Sequence, residues 1–278
     1  MLNILKALLF GIVEGITEWL PVSSTGHMII LDEFVKLECS DEFVKMFLVV
    51  IQLGAILAVV WQFWNKIFPF RIKDKTRPFV KRKVLILWGK VIAACIPAVI
   101  VGLLFDEKFE ELFYHPVPVA IALIVFGIAF IVIERRNKGR IPKIERLSDI
   151  DFKTAFIIGL FQVLAAVFPG TSRSGATIIG ALLIGVSRYA ASEFTFILAI
   201  PVMFGASFLK LIKFGFSFTL MEAAVLLVGM LSAFVVSALV IRFLMSYVRK
   251  HDFSPFGWYR IILGAAVLIL GITGVISA

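Results

Sequence analysis

Two clusters of residues in this chain carry the groups that phosphate chemistry needs. In the first, Glu14 and Glu18 lie four apart, so a helix over residues 2–20 stacks both carboxylates on one face, about one turn from each other. Val22-Ser23-Ser24-Thr25-Gly26-His27 then follows a proline at position 21. Serine or threonine before a helix caps it, and the N-terminus so opened offers unpaired N–H groups and a positive dipole to an anion. His27 sits three residues beyond Ser24, close enough to act as acid or base near it. In the second cluster, Pro169-Gly170-Thr171-Ser172-Arg173-Ser174-Gly175-Ala176-Thr177, the glycines let backbone approach a ligand and the hydroxyls donate. Arg173 adds a planar fork suited to phosphate oxygens.

Each group also has an ordinary structural reading. The two acids can lie wet on an interfacial helix, Ser23 or Ser24 can serve only as an N-cap, and Arg173 can pair with Glu14 or Glu18 or snorkel to the interface. The surroundings favour chemistry. A carboxylate inside a span costs about 2.5 to 3.5 kcal/mol on insertion scales and normally faces a polar interior.

Those surroundings are apolar. The chain has 278 residues, of which 60% are hydrophobic and 17% charged, with a mean hydropathy of +1.01, and this excludes a soluble domain. Apolar stretches near 43–64, 84–105, 117–133, 194–209, 223–245 and 258–275 approach the roughly 20 residues that span a bilayer. The net charge of +9 sits mainly in short loops beside these spans, where membrane orientation explains it, so no nucleic-acid partner is expected. The first twenty residues carry Glu14 and Glu18, which a signal peptide would not tolerate, and are expected to stay in the mature protein. Cys39 and Cys95 form no metal or redox spacing.

Loop charge sets a topology. Residues 65–83 carry Lys66, Arg71, Lys73, Lys75, Arg77, Lys81, Arg82 and Lys83 against Asp74, and 134–153 is again rich in arginine and lysine, so both loops are expected in the cytoplasm. The loops 32–45 and 106–115 are mostly acidic and fit the outside. Residues 3–36 and 154–186 are each interrupted, at 20–26 and 168–175, and read as re-entrant hairpins, because proline cannot continue a helix and irregular backbone in a bilayer needs protein or a watery cavity beside it. From an external N-terminus, the six spans then cross alternately and every basic loop falls inside.

The chain also repeats. A shift of 148 superposes Gly11, Glu14, Pro21, Ser23 and Ser24 on Gly159, Gln162, Pro169, Thr171 and Ser172. Gly54 has a counterpart in Gly205. The expected fold is therefore all-α and integral to the membrane: one domain over 1–278, with repeats 1–134 and 154–278 of inverted topology joined by a basic cytoplasmic loop at 135–153. Each repeat holds one hairpin and three spans, and the hairpins should meet in one composite site. Among lesser features, Gly11 and Gly15 suggest close helix packing, Gln52 and Gln162 interhelical bonds, and Trp61 and Trp64 interfacial anchors.

The motifs identify a family. Glu14-Gly15-Ile16-Thr17-Glu18-Trp19-Leu20-Pro21-Val22-Ser23-Ser24-Thr25-Gly26-His27 and the run Pro169 to Thr177 closely resemble the two signatures of the undecaprenyl-diphosphate phosphatases, once described as bacitracin-resistance proteins. Gln52-Leu53-Gly54-Ala55 and the span count extend the match along the chain. The resemblance implies hydrolysis of a polyprenyl diphosphate lipid to its monophosphate in the bacterial plasma membrane, a Mg²⁺ or Ca²⁺ requirement, and often a homodimer. It carries the acidic pair onto Glu14 and Glu18, the serine and histidine onto Ser24 and His27, and the phosphate-binding arginine onto Arg173, with Ser172, Ser174 and Thr177 beside it; the metal is expected to bridge Glu14 or Glu18 to phosphate oxygens. Ser23, Thr25, Gly170 and Thr171 complete the expected phosphate-binding set. Either Ser24 or water attacks, with His27 or Glu18 handling the proton. The rival reading is a lipid-phosphate flippase, because inverted repeats with broken helices are transporter architecture, although a transporter needs no proton-transfer group. A two-histidine lipid phosphatase is disfavoured, since no histidine follows Ser172-Arg173.

Overall fold

The computed structural model describes residues 1–71, 78–215 and 217–276, without the side chains of residues 106, 107 and 110. The loop charges at Lys73, Asp74, Lys75, Arg77, Asp106, Glu107 and Glu110 thus lie outside the described residues or side chains. Among the described residues the chain forms α1 (Leu2–Thr17), α2 (Ser24–Phe34), α3 (Asp41–Ile67), α4 (Arg82–Phe113), α5 (Pro116–Asn137), a 3-10 turn (Leu147–Asp149), α6 (Phe152–Val167), α7 (Arg173–Leu183), α8 (Arg188–Phe214), α9 (Leu220–Tyr247) and α10 (Ser254–Ile272).

Helices α3, α5, α8, α9, α10 and the Arg82–Phe105 part of α4 are long and apolar enough to cross a membrane, and they coincide with the six expected spans. Side-chain caps, not hydropathy, fix the N-terminal ends of α3, α8 and α9. Ser40 accepts from Phe43 N at 3.3 Å, Ser187 accepts from Ala190 N at 3.2 Å, and Thr219 forms a reciprocal capping box with Glu222. The expected loop at 106–115 is corrected on the same ground. Helix α4 runs on to Phe113, and it stops only where Pro116 holds His115 extended at φ −130°, ψ 154°.

The outer faces of these helices are apolar. On α9, Leu227, Leu231, Val235, Leu239 and Phe243 recur every fourth residue, and all are more than half exposed. Such a stripe is stable against lipid and not against water. Together with the six apolar helices it makes this a multi-pass membrane protein.

Small residues let the helices touch backbone to backbone. A Cβ on Gly11 of α1 would stand 2.3 Å from Gly229 O of α9, one on Gly54 of α3 would stand 2.0 Å from Met230 O of α9, and one on Gly159 of α6 would stand 2.1 Å from Ala94 O of α4. Gly205, matched to Gly54 by sequence, meets nothing within 4 Å, so the two glycines have different surroundings. Several helix pairs match between the halves all the same, although α3 packs closely on α9 while α8 meets α4 only slightly. Helix α1 lies along α9 as α6 lies along α4, α3 crosses α8, α5 runs along α10, and α2 reaches α10 as α7 reaches α5.

Charged contacts tie several helix ends together. Glu134 near the end of α5 accepts from Arg188 Nε of α8 at 2.9 Å and from Phe253 N, just before α10, at 3.0 Å. Lys66 near the end of α3 pairs with Glu193 of α8. The loop after α5 is pinned as well, through Lys143 N to Gly185 O and Ser187 N to Ile144 O, each at 2.8 Å.

The glycine contacts make a paired test. Gly54→Ala forces a carbon into the Met230 backbone and is expected to cost about 1–3 kcal/mol, lowering the melting temperature in detergent by about 3–10 °C. Gly102→Ala, which meets nothing within 4 Å, is expected to leave it unchanged or slightly raised. Equal losses in the two variants would show that the close approach of α3 to α9 is not what holds them.

Candidate active site

The site is built where two helices stop. Helix α1 ends at Thr17, three residues short of the expected boundary, but Glu18 keeps helical angles (φ −71°, ψ −36°) and donates its N–H to Glu14 O at 3.0 Å. The two acids therefore stay on one face. The chain then turns through the fully buried Trp19 and reaches Ser23 at φ 75°, whose hydroxyl caps α2 by accepting from Gly26 N at 3.4 Å. The second break repeats this turn. Gly170 adopts φ 91°, and Ser172, at φ 69°, caps α7 by accepting from Gly175 N at 3.2 Å.

Ser23 and Ser172 are the two non-glycine residues with positive φ among the described residues. Such angles cost about 1–2 kcal/mol each. The backbone thus matches Ser23 to Ser172, one residue away from the register of 148, which set Ser24 against Ser172. The second break carries one more residue between its proline and its cap, as Pro21 to Ser23 and Pro169 to Ser172 show. In the corrected register Ser24 corresponds to Arg173, and both open a helix.

These two residues meet on one carboxylate. Ser24 Oγ donates to Glu18 Oε2 at 2.8 Å, and Arg173 donates through one guanidinium nitrogen to Glu18 Oε1 at 2.9 Å. The ion pair is largely buried, with side-chain exposures of 10% for Glu18 and 13% for Arg173, so water screens it little. Ser174 Oγ donates to the Glu18 carbonyl at 3.2 Å, fastening the start of α7 to the end of α1. The other terminal nitrogen of Arg173 donates to Thr195 O of α8 at 3.3 Å, and the guanidinium lies 5.9 Å from the Trp19 ring centre. Thr177 Oγ1 donates to Arg173 O at 2.9 Å and accepts from Thr195 Oγ1 at 3.0 Å. The hydroxyls of Thr195 and Thr177 thus lock α8 to the first turn of α7.

Glu14 is 1% exposed and its Oε1 has no hydrogen-bond partner. Its counterpart Gln162 is equally buried. Neither amide atom of Gln162 is partnered, which corrects the expected interhelical bond: the side chain is buried with no hydrogen-bonding group in reach. Thr171 is fully buried with its hydroxyl oxygen likewise unpartnered, and Thr25 is half-buried in the first turn of α2.

His27 does not hold Ser24. Its Nδ1 lies 2.7 Å from Ser23 O and its Nε2 lies 2.7 Å from Tyr259 Oη. A carbonyl only accepts, so Nδ1 carries the proton, and in the neutral ring Nε2 accepts from the tyrosine hydroxyl. The spacing of three residues had placed this imidazole near Ser24. Instead, the turn at Ser23 leaves Ser24 facing Glu18 and His27 facing α10.

Two residues of α10 were not legible as site residues. Tyr259 holds His27, and its ring stacks on the imidazole at 5.6 Å between centres. Arg260 is 0% exposed and donates to three carbonyls, Pro21 O at 3.3 Å, Gly170 O at 2.9 Å and Thr171 O at 2.8 Å. The available signal was an arginine inside an apolar span, the same signal that drew attention to Arg173.

A hydroxyl whose proton is already directed at a carboxylate, itself oriented by an arginine, is the arrangement of an activated oxygen nucleophile. Two capped helix N-termini and the guanidinium beside it supply the positive end that a phosphoryl group needs.

The family described as "Bacitracin resistance protein BacA" matches residues 7–266. The undecaprenyl-diphosphatase of Desulfitobacterium hafniense is 60% identical over 269 residues, covering 97% of this chain and 96% of that protein. The undecaprenyl-diphosphatase 1 of Clostridium acetobutylicum is 60% identical over 268 residues, 96% of this chain and 97% of its own length. One undecaprenyl-diphosphatase of Enterococcus faecalis is 60% identical over 269 residues and 97% of both chains. With both motifs inside the matched range and their side chains joined at Glu18, the chain belongs to the BacA bacitracin-resistance protein family.

Proposed function

We propose that the protein is an undecaprenyl-diphosphatase, which hydrolyses undecaprenyl diphosphate to undecaprenyl phosphate and inorganic phosphate at a site within the bacterial plasma membrane. The observation that carries this reading is the contact of Ser24 and Arg173, from the two halves of the chain, on the single carboxylate Glu18. Relatives named for that activity cover nearly the whole chain.

In this reading Arg173 and the N-termini of α2 and α7 draw in the terminal phosphate. A guanidinium has five N–H donors, so Arg173 can take phosphate oxygens while one nitrogen stays on Thr195 O. Ser24 Oγ attacks the terminal phosphorus as its proton passes to Glu18 Oε2. The bond from phosphorus to the bridging oxygen breaks, and undecaprenyl phosphate leaves. Water then adds its oxygen to the phosphoserine phosphorus as the bond from phosphorus to Ser24 Oγ breaks; Glu18 returns its proton to the departing Oγ, and both water protons leave on the released inorganic phosphate. His27, held by Ser23 O and Tyr259, shapes the first turn of α2 and takes no proton in this scheme.

Glu14 and Glu18 fit a divalent cation. The unpartnered Glu14 Oε1 is a hard oxygen donor one turn from Glu18. That suits Mg²⁺ or Ca²⁺ bound by two carboxylates together with substrate oxygens. When bound, the ion supplies positive charge against the diphosphate.

The same reading takes α1–α2 and α6–α7 as re-entrant hairpins in repeats of inverted topology. Its support is that the paired helices have 16 and 11 residues in each half, each shorter than the roughly 20 that span a bilayer, and that α1 packs on α9 as α6 packs on α4.

Phosphate release from a long-chain polyprenyl diphosphate by purified protein tests the assignment. Glu18→Gln and Arg173→Lys are expected to lose at least about 100-fold in rate, and Ser24→Ala about 1000-fold or more. Substantial turnover by Ser24→Ala would remove the serine as nucleophile and leave direct attack by water. Excess EDTA is expected to abolish release, and added Mg²⁺ or Ca²⁺ to restore it; full activity in chelator would end the case for the ion.

A further inference from the structure

Arg260 is an arginine without an acid. Among the described residues no carboxylate pairs with it, and its Nε is unpartnered. Burying such a charge is costly, and here hydrogen bonds alone offset it. Its hydrogen bonds are unusual in where they go. One terminal nitrogen takes Gly170 O and Thr171 O of the second break, and the other takes Pro21 O of the first. A single planar group from α10 therefore fixes how far apart the two breaks lie.

The contact also sets a direction. A peptide unit is planar and trans, so turning Thr171 O toward Arg260 turns the Ser172 N–H to the opposite side. The guanidinium lies against the first turn of α7, where a Cβ on Gly175 would stand 3.2 Å from its nearer terminal nitrogen. Its full charge thus stands behind the roughly half charge of that helix N-terminus.

We propose that Arg260 is a positioning residue for the reaction: it holds the two helix N-termini in register, turns the Ser172 amide toward the phosphoryl group and reinforces their field without touching substrate. This rests on the phosphatase reading. The bland alternative is a staple that only satisfies carbonyls that a broken helix leaves open in the membrane.

The test compares Arg260→Lys, which keeps charge but cannot span three carbonyls, with Arg260→Gln, which keeps a donor and drops the charge. Both are purified in detergent beside wild type, and rates are expressed per folded molecule, judged by monodispersity and melting temperature. The expected result is a kcat lower by at least about tenfold in both, with KM for the lipid changed by less than about threefold because the polyprenyl chain still binds. Inhibition by inorganic phosphate is expected to weaken in both variants, and more in Arg260→Gln. Rates per folded molecule within threefold of wild type, activity falling only in step with the folded fraction, or failure of both variants to fold would each mark Arg260 as structural and overturn the proposal. An inactive wild type would instead sink the phosphatase reading itself.

Discussion

A backbone surrounded by hydrocarbon must satisfy its own hydrogen bonds, and this chain interrupts its helices twice inside an apolar protein. Each interruption frees carbonyls on one side and amides on the other. The carbonyls of Pro21, Gly170 and Thr171 are taken by Arg260. The amides of Gly26 and Gly175 are taken by the hydroxyls of Ser23 and Ser172. What remains is a pair of helix N-termini that converge on Glu18, with a serine hydroxyl at the head of one and a guanidinium at the head of the other. A helix broken inside the protein leaves backbone donors that an anion can take, and the proposed chemistry is placed there for that reason.

Glu18 turns those two ends into one site. It sits at the end of α1 with one oxygen on Ser24 and the other on Arg173, and its carbonyl accepts from Ser174. Breaking a buried pair of this kind costs about 3–5 kcal/mol, so the contact joins the halves of the protein as firmly as it joins the parts of the site. The close glycine contacts of α1 with α9 and of α6 with α4 supply the frame. The outer apolar stripes need only lipid.

Much of this was legible in the sequence. Hydropathy placed the six spans, prolines and serines placed the two breaks, and the cost of an acid or an arginine in an apolar setting singled out Glu14, Glu18 and Arg173. Other parts were hidden for physical reasons. Arg260 binds backbone carbonyls, which every residue has, so no complementary side chain advertised its partners. The register of the second break was off by one, because a turn can absorb a residue without disturbing the helices on either side. His27 was set beside Ser24 by its spacing, whereas positive φ at Ser23 rotates the following turn and sends the ring to Tyr259. Gly54 and Gly205 look alike in sequence, but only the first meets a neighbouring backbone.

The resting contact between Glu18 and Arg173 bears on which lipids the protein ignores. A bilayer is crowded with phosphodiesters, each carrying a single negative charge spread over two oxygens. Such a headgroup offers Arg173 no more than Glu18 already gives at 2.9 Å, and it brings a bulky substituent besides. A terminal phosphate on a diphosphate carries more charge on three unsubstituted oxygens, and it can outbid the internal carboxylate. On the proposed phosphatase reading, the ion pair sets a threshold on charge density that ordinary phospholipid does not reach.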